Sequence, residues 1–271
     1  MADQMISSFS DRNFDDIAGK FSRNIYGTTK GKIRQAILKE DLDSLLATFP
    51  TGKPLKILDA GGGQGQFACY LASLGHQVTL CDISAEMLQI ADENAKINRV
   101  NLNLIQCQVQ SLDDYLLPGT SFDLILFHAV LEWVSEPIAV LTMLKQYLTA
   151  EGALSLMFYN YHALLFRTVT LGNFGYVNAG MAKRKKKTLS PDYPRKPEEV
   201  YQWLADLDFR IMGKTGIRVF HDFMVNKQKQ QDAFEELLTL ERTYCRQEPY
   251  IQYGRYIHVM VKNNLSATSK D

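Results

Sequence analysis

The sequence predicts an α/β fold with a doubly wound, mostly parallel Rossmann-like sheet, and three observations carry that expectation. Short β-type apolar runs alternate with segments of helical periodicity from Leu55 onward. A glycine-rich turn, DAGGGQGQ at 59–66, follows the first run, and an aspartate, Asp82, ends the second. The whole chain, 1–271, reads as a single domain. Its parts are a helical segment over 11–54, a core over 55–158, an insertion over 159–196, a helix and strand part over 197–262 and a polar tail over 263–271.

Ahead of the sheet, Phe14, Ile17, Ala18, Phe21 and Ile25 share one helix face, with Asn13 and Asp16 at capping spacing. A second helix carries Ile33, Ala36, Ile37, Leu42, Leu45 and Leu46, leaves Arg34 on its remaining face, and ends at Thr51-Gly52-Lys53-Pro54. Strands are expected over 55–59, 77–82, 102–109, 122–128 and 153–158. Between them lie helices ending near Leu74 and spanning about 85–97 and 137–148. After the polar insertion, Pro197 opens a helix at the position where a missing N–H costs least. Two last strands, 209–220 and 256–261, flank a helix containing Phe234, Leu237, Leu238 and Leu240.

Composition narrows the function classes. Hydrophobic residues at 46% and charged residues at 22% suit a folded globule, and no apolar run reaches the length of a membrane span. The start, MADQMISSFSDRN, lacks the basic and apolar regions of a signal peptide, so a cytoplasmic protein is expected. Cys69, Cys81, Cys107 and Cys245 are too scattered for a zinc site or a disulfide framework, and no metal is expected. Net charge is zero, yet Lys183, Arg184, Lys185, Lys186 and Lys187 are consecutive, so basic charge is concentrated in the insertion.

The glycine turn admits either a ligand or a closely packed helix. Gly61, Gly63 and Gly65 give G-x-G-x-G, one residue short of the G-x-G-x-x-G of dinucleotide sites. Asp82 stands where a carboxylate binds ribose hydroxyls, about 20 residues beyond the turn, or it caps the helix beginning near Ser84. His128, at the end of FDLILFH, is a ligand contact or a core histidine.

The G-x-G-x-G turn, with Asp59 two residues before it, resembles the first motif of class I S-adenosylmethionine-dependent methyltransferases. FDLILFHAVLEWV resembles that family's floor beneath the transferable methyl group. With RNFDDIAGKFSRNIYGTTKGKIRQAIL, KKKTLSPDYPRKPEEVYQWL, MGKTGIRVFHDF and CRQEPYIQYGRYIHV, the chain is similar from about Asp11 to Val261 to the bacterial tRNA 5-carboxymethoxyuridine methyltransferases. The resemblance implies S-adenosyl-L-methionine as cofactor, held by Arg34, Gly61, Gly62, Asp82, Val109, Gln110 and His128. Arg34 then pairs with the methionine carboxylate, Asp82 accepts from the ribose diol, and Val109 and Gln110 face the adenine. Many class I members have an acidic residue near the third strand end, where this chain reads Cys107-Gln108-Val109-Gln110.

The same resemblance implies methyl transfer to the carboxylate of 5-carboxymethoxyuridine at the anticodon wobble position, giving a methyl ester. A carboxyl group with a pKa near ~4 is already ionised at neutral pH, so no catalytic base is expected and the rate should be flat between about pH 6 and 8. Substrate contacts are expected from Arg23, Tyr26, Tyr159, Asn160 and His162. The run Lys183 to Lys187, with Tyr176 and Tyr193 nearby, suits the backbone and bases of a tRNA anticodon stem-loop. Two other classes share the cofactor motifs: a methyltransferase of small carboxylic acids, with little use for five consecutive cations, and a noncatalytic S-adenosylmethionine-binding protein.

Overall fold

The computed structural model describes residues 27–181 and 191–264. The expected first helix, Arg23, Tyr26 and the run Lys183 to Lys187 lie outside the described residues. All seven expected strands form: β1 Lys56–Ala60, β2 Gln77–Asp82, β3 Asn103–Gln106, β4 Phe122–His128, β5 Leu148–Tyr159, β6 Phe209–Ile217 and β7 Tyr256–Asn263. They make one sheet in the order β3-β2-β1-β4-β5-β7-β6. β1 to β5 are parallel, and β7 runs antiparallel between β5 and β6.

Ile57 and Leu58 show why β1 is central. They are adjacent, point to opposite faces and are both fully buried, as required of a parallel strand covered on both sides. Leu58, Phe127, Leu156 and Val259 pack on one face with Leu141 of the helix Pro137–Gln146 and Leu204 of the helix Pro197–Asp206. Ile57, Leu80 and Leu126 pack on the other with Leu42 of Thr29–Leu46, Leu71 of Gln66–Ser73 and Ala91 of Ala85–Asn98.

The winding direction reverses at β1, which has β2 on one side and β4 on the other. A crevice opens at the carboxyl ends of the strands at such a point. Because β7 is antiparallel, its beginning lies at that same end, where Tyr256 registers with Tyr159 of β5 and Ile217 of β6.

The structure departs from expectation at β5, which begins at Leu148 rather than Ala153, at the ends of β3 and β6, and in the insertion. β3 stops at Gln106, and Val109 opens the 3₁₀ turn Val109–Asp114 that carries it across the strand ends. β6 stops at Ile217, because Arg218 has φ +64 and cannot continue a strand. The insertion contains helices Tyr161–Thr170 and Phe174–Asn178. Asn160 starts the first of them by accepting a hydrogen bond from the His162 N–H.

Candidate active site

A cleft of roughly 1200 Å³, partly open to solvent, occupies the crevice. Arg34, Gly61, Gly62, Asp82, Val109, Gln110 and His128, the seven residues expected to hold a cofactor, all line it. So do Gly63, the middle glycine of the turn, and Phe67, Ile83, Met87, Trp133 and Met157, which were not among the expected cofactor residues. Ile83 follows Asp82 directly and Trp133 lies within FDLILFHAVLEWV, whereas Met87 reaches the cleft from the first turn of the helix Ala85–Asn98.

The glycines have separate physical reasons. The N–H groups of Gly61 and Gly62 both donate to the Cys81 carbonyl, at 2.8 and 3.2 Å, which ties the turn to β2. A Cβ on Gly61 would lie 2.4 Å from Val130 Cγ2, and one on Gly62 would lie 2.6 Å from the Asp59 carboxyl carbon. At these two positions the close approach is made by protein. Gly63, with φ +55, lines the cleft and has no atom within 4 Å of a Cβ position, so its backbone is what a ligand would meet.

Asp82 combines two duties. Its Oδ1 accepts from the Ser84 N–H and its Oδ2 from the Gly63 N–H, each at 2.9 Å. The helix that follows is capped by Ser84, whose hydroxyl accepts from the Met87 N–H. Asp82 therefore fastens the glycine turn to the end of β2 while lining the cleft.

Two buried carboxyls sit in and behind the cleft. Burial, and secondarily the charge of Asp82, pushes Asp59 up to about 7. Burial likewise pushes Glu132 up to about 7, against the opposing influence of hydrogen bonds and of Arg195 and Arg34. Glu132 Oε2 is buried with no hydrogen-bond partner.

His128 ends a buried polar chain. Arg246 donates to Asp41 Oδ1, and Asp41 Oδ2 lies 2.7 Å from His258 Nδ1. His258 Nε2 lies 2.7 Å from Ser155 Oγ, which lies 2.8 Å from His128 Nε2. Although burial pushes the other way, the hydrogen bond and charge of His258 and the charge of Arg246 keep Asp41 below the usual carboxylate range. An ionised Asp41 accepts from His258 Nδ1–H, and the Ser155 hydroxyl bridges the Nε2 atoms of His258 and His128. Burial, with His258 and Arg34 nearby, lowers the His128 pKa well below its ordinary value. The imidazole is neutral.

The expected substrate residues separate. Tyr159 is buried edge-on to Tyr256, with the Arg255 guanidinium 4.6 Å from its ring centre. Asn160 is fully buried, and its amide donates to the carbonyls of Gln252 and Gly254 at 2.8 and 2.9 Å, so its role is to tie the end of β5 to the start of β7. His162 points to the surface, 2.8 Å from Glu198. Tyr159, Asn160 and His162 all lie outside the lining of the cleft.

Beyond the cleft, Phe166, Val219, Phe220, Phe223, Met224, Tyr250 and Tyr253 form a second, open groove. Phe166 is 46% exposed, and its ring centre lies 5.3 Å from those of both Phe223 and Tyr253. No described helix is long and apolar enough to cross a membrane, and no metal-holding group of His, Cys, Asp and Glu occurs among the described residues.

The glycine turn, Asp82 and the end of β4 fall inside residues 58–156, which match the family model described as "Methyltransferase domain". The plantazolicin methyltransferase BamL, solved with S-adenosylhomocysteine, superposes with a TM-score of 0.60 over 92% of this chain and 90% of that one, at 17% identity. Magnesium protoporphyrin IX methyltransferase from Synechocystis superposes at 0.58, over 92% and 95%, with 18% identity. At such identities the likeness concerns the fold. The tRNA 5-carboxymethoxyuridine methyltransferase of Escherichia coli (strain K12) is 58% identical over 254 residues, 93% of this chain and 96% of that protein. An identity of that size across nearly the full length of both proteins leaves one assignment: this chain belongs to the tRNA 5-carboxymethoxyuridine methyltransferase family.

Proposed function

We propose that the protein methylates the carboxylate of 5-carboxymethoxyuridine at the wobble position of tRNA, using S-adenosyl-L-methionine bound in the cleft. The observation that carries this reading is one mostly apolar cleft containing both a buried cation, Arg34, and a buried carboxylate, Asp82. That pair suits a ligand with a carboxylate at one end and a ribose diol further along. The strand order supports the same direction: His128 on β4, the glycine turn after β1, Asp82 on β2, then Val109 and Gln110 beyond β3. Arg34 and His128 would hold the amino acid part, Gly63 and Asp82 the ribose, and Val109 and Gln110 the adenine.

When bound, S-adenosyl-L-methionine supplies an electrophilic methyl group on a positive sulfonium. Transfer to a carboxylate removes one positive and one negative charge and releases no proton. A neutral His128 and the apolar walls of Phe67 and Met157 suit that charge change, because a poorly solvating site favours its disappearance. Orientation of the nucleophile supplies much of the remaining rate, roughly 7–11 kcal/mol for well-aligned partners. The exposed rings of Phe166 and Tyr253 offer stacking surfaces for unpaired anticodon bases, and Lys183 to Lys187 offer charge for the phosphates.

Incubation with methyl-labelled cofactor and tRNA containing 5-carboxymethoxyuridine should place label in a base-labile ester on that nucleotide. Label appearing instead on small carboxylic acids, with none on tRNA, would reject the assignment. Asp82→Asn keeps an acceptor for Ser84 but removes the charge offered to the diol. Cofactor affinity should fall about 10–150-fold, from the roughly 1.5–3 kcal/mol of a hydrogen bond to a charged group. Unchanged affinity by calorimetric titration would confine Asp82 to fastening the turn.

A further inference from the structure

At the carboxyl end of the sheet, one tyrosine ring beyond the cleft, two arginines converge. Arg218 follows β6 and Arg255 precedes β7, so antiparallel pairing of these strands brings them together. Both serve one acid: Asp222 Oδ2 lies 3.0 Å from Arg218 Nη2 and 3.8 Å from Arg255 Nε. Their side chains are only 12% and 16% exposed. Nevertheless Arg218 Nε and Arg255 Nη1 are buried with no hydrogen-bond partner. A buried guanidinium N–H without an acceptor is costly, and two of them on arginines that share one acid leave this cluster with donors to spare for an anion.

The surroundings reinforce the charge excess. Lys30 lies close enough that burial and the charges of Arg218, Arg167 and Arg255 depress its pKa, with Asp222 opposing. Although burial pushes the other way, Arg218, His221 and Arg255 hold Asp222 well below the usual carboxylate range. One carboxylate thus faces several cations. Arg218 sits 5.5 Å from the Tyr256 ring centre, and Arg34, which lines the cleft, sits 5.8 Å from that same centre.

Arg218 is also held in an uncommon backbone conformation, φ +64. The chain after it is pinned by the buried Glu241 carboxylate, which accepts from the N–H groups of Val219, Phe220 and His221 at 2.7, 3.0 and 2.8 Å. Three hydrogen bonds to one carboxylate hold the loop against relaxation.

We propose that Arg218 and Arg255 form the receptor for the carboxylate that is methylated. The assignment rests on the carboxyl-transfer reading above, and it separates the two anions: Arg34 in the cleft for the cofactor, and the Arg218–Arg255 pair across the Tyr256 ring for the substrate. A phosphodiester presents the same oxygen chemistry. However, it brings the RNA backbone with it, whereas these donors are buried beside Tyr159 and Tyr256, where a carboxylate on a slender arm reaches more easily. Lodged there, the carboxylate gains charge-assisted hydrogen bonds.

The test compares R218K and R255K, which keep the charge and lose the planar fork, for binding two anticodon stem-loops: one with 5-carboxymethoxyuridine, one with 5-methoxyuridine. Each variant should bind the carboxylate RNA about 10–100-fold more weakly and the methoxy RNA as the parent does. Equal weakening for both RNAs would reassign the pair to phosphate, and unchanged binding of both would reject the receptor altogether. Cofactor titration identifies any variant with a damaged fold, and R255K remains decisive because Arg255 does not occupy the strained loop. If the unaltered enzyme binds the carboxylate RNA yet transfers no methyl to it, the carboxyl-transfer reading fails separately.

Discussion

Replacing Asp59 by Asn is expected to stabilise the protein progressively as pH rises, with the variant gaining on the order of 3 kcal/mol over the parent between pH 5 and pH 8. Asp59 has a folded-state pKa pushed up to about 7, chiefly by burial and then by Asp82, from an ordinary value of 3.8. Between those values the folded state keeps a proton that the unfolded state has released. Stability therefore falls with rising pH by about 1.4 kcal/mol per unit and levels off once both states are ionised. Asn removes the titration and with it the slope. Glu132→Gln should remove a similar slope, since that carboxyl is also pushed up to about 7 from 4.5. Denaturant unfolding of parent and variant across this range measures the difference directly, and cancels His128, whose depressed pKa gives a slope of opposite sign. A difference that does not change with pH would mean that folded Asp59 ionises like an ordinary aspartate.

These two carboxyls also qualify the flat pH–rate profile expected of a carboxylate nucleophile. Neither needs to remove a proton from the substrate, but Asp59 lines the cleft and changes charge near neutrality. A rate change near pH 7 that disappears in Asp59→Asn reports the field in the cleft. One that persists in the Asp59 and Glu132 variants reports a base not foreseen here.

The fold was legible because its signals are local. β-type apolar runs, helical periodicity and two strand ends marked by DAGGGQGQ and Asp82 describe consecutive residues, whereas the full set of seven cofactor candidates came with the family resemblance. What escaped was assembled by packing. Gly61 and Gly62 line the cleft as expected, but the packing of Val130 and Asp59 against them, which also requires glycine there, could not be read from the turn. The insertion looked polar and irregular until Asn160 capped a helix within it. Arg218 and Arg255 are distant in sequence and meet only through the β6–β7 pairing. The chain from Asp41 through His258 and Ser155 to His128 likewise spans a helix and three strands, so no window of sequence contains it.

Salt should discriminate sharply between a tRNA-contacting role for Lys183 to Lys187 and a merely solvated one. These five cations are consecutive in a chain of zero net charge, and they lie outside the described residues, so their role rests on charge and chemistry. If each neutralises one phosphate of a single-stranded or loop region, log affinity should fall with log salt at a slope near −3.5. A fourfold rise in monovalent salt then weakens tRNA binding on the order of 100-fold. Changing all five to Gln should remove most of that dependence while leaving cofactor affinity alone, because no cofactor candidate lies in the run. The carboxylate receptor predicts a separate behaviour: R255K should weaken only the carboxylate RNA and leave the salt slope nearly as it was, since Lys retains the charge. Binding and salt slope that both survive the five-Gln change would show that the run stays in water. The phosphate surface would then have to be sought among cations elsewhere, with Lys30 and Arg167 beside the aromatic groove the first to replace.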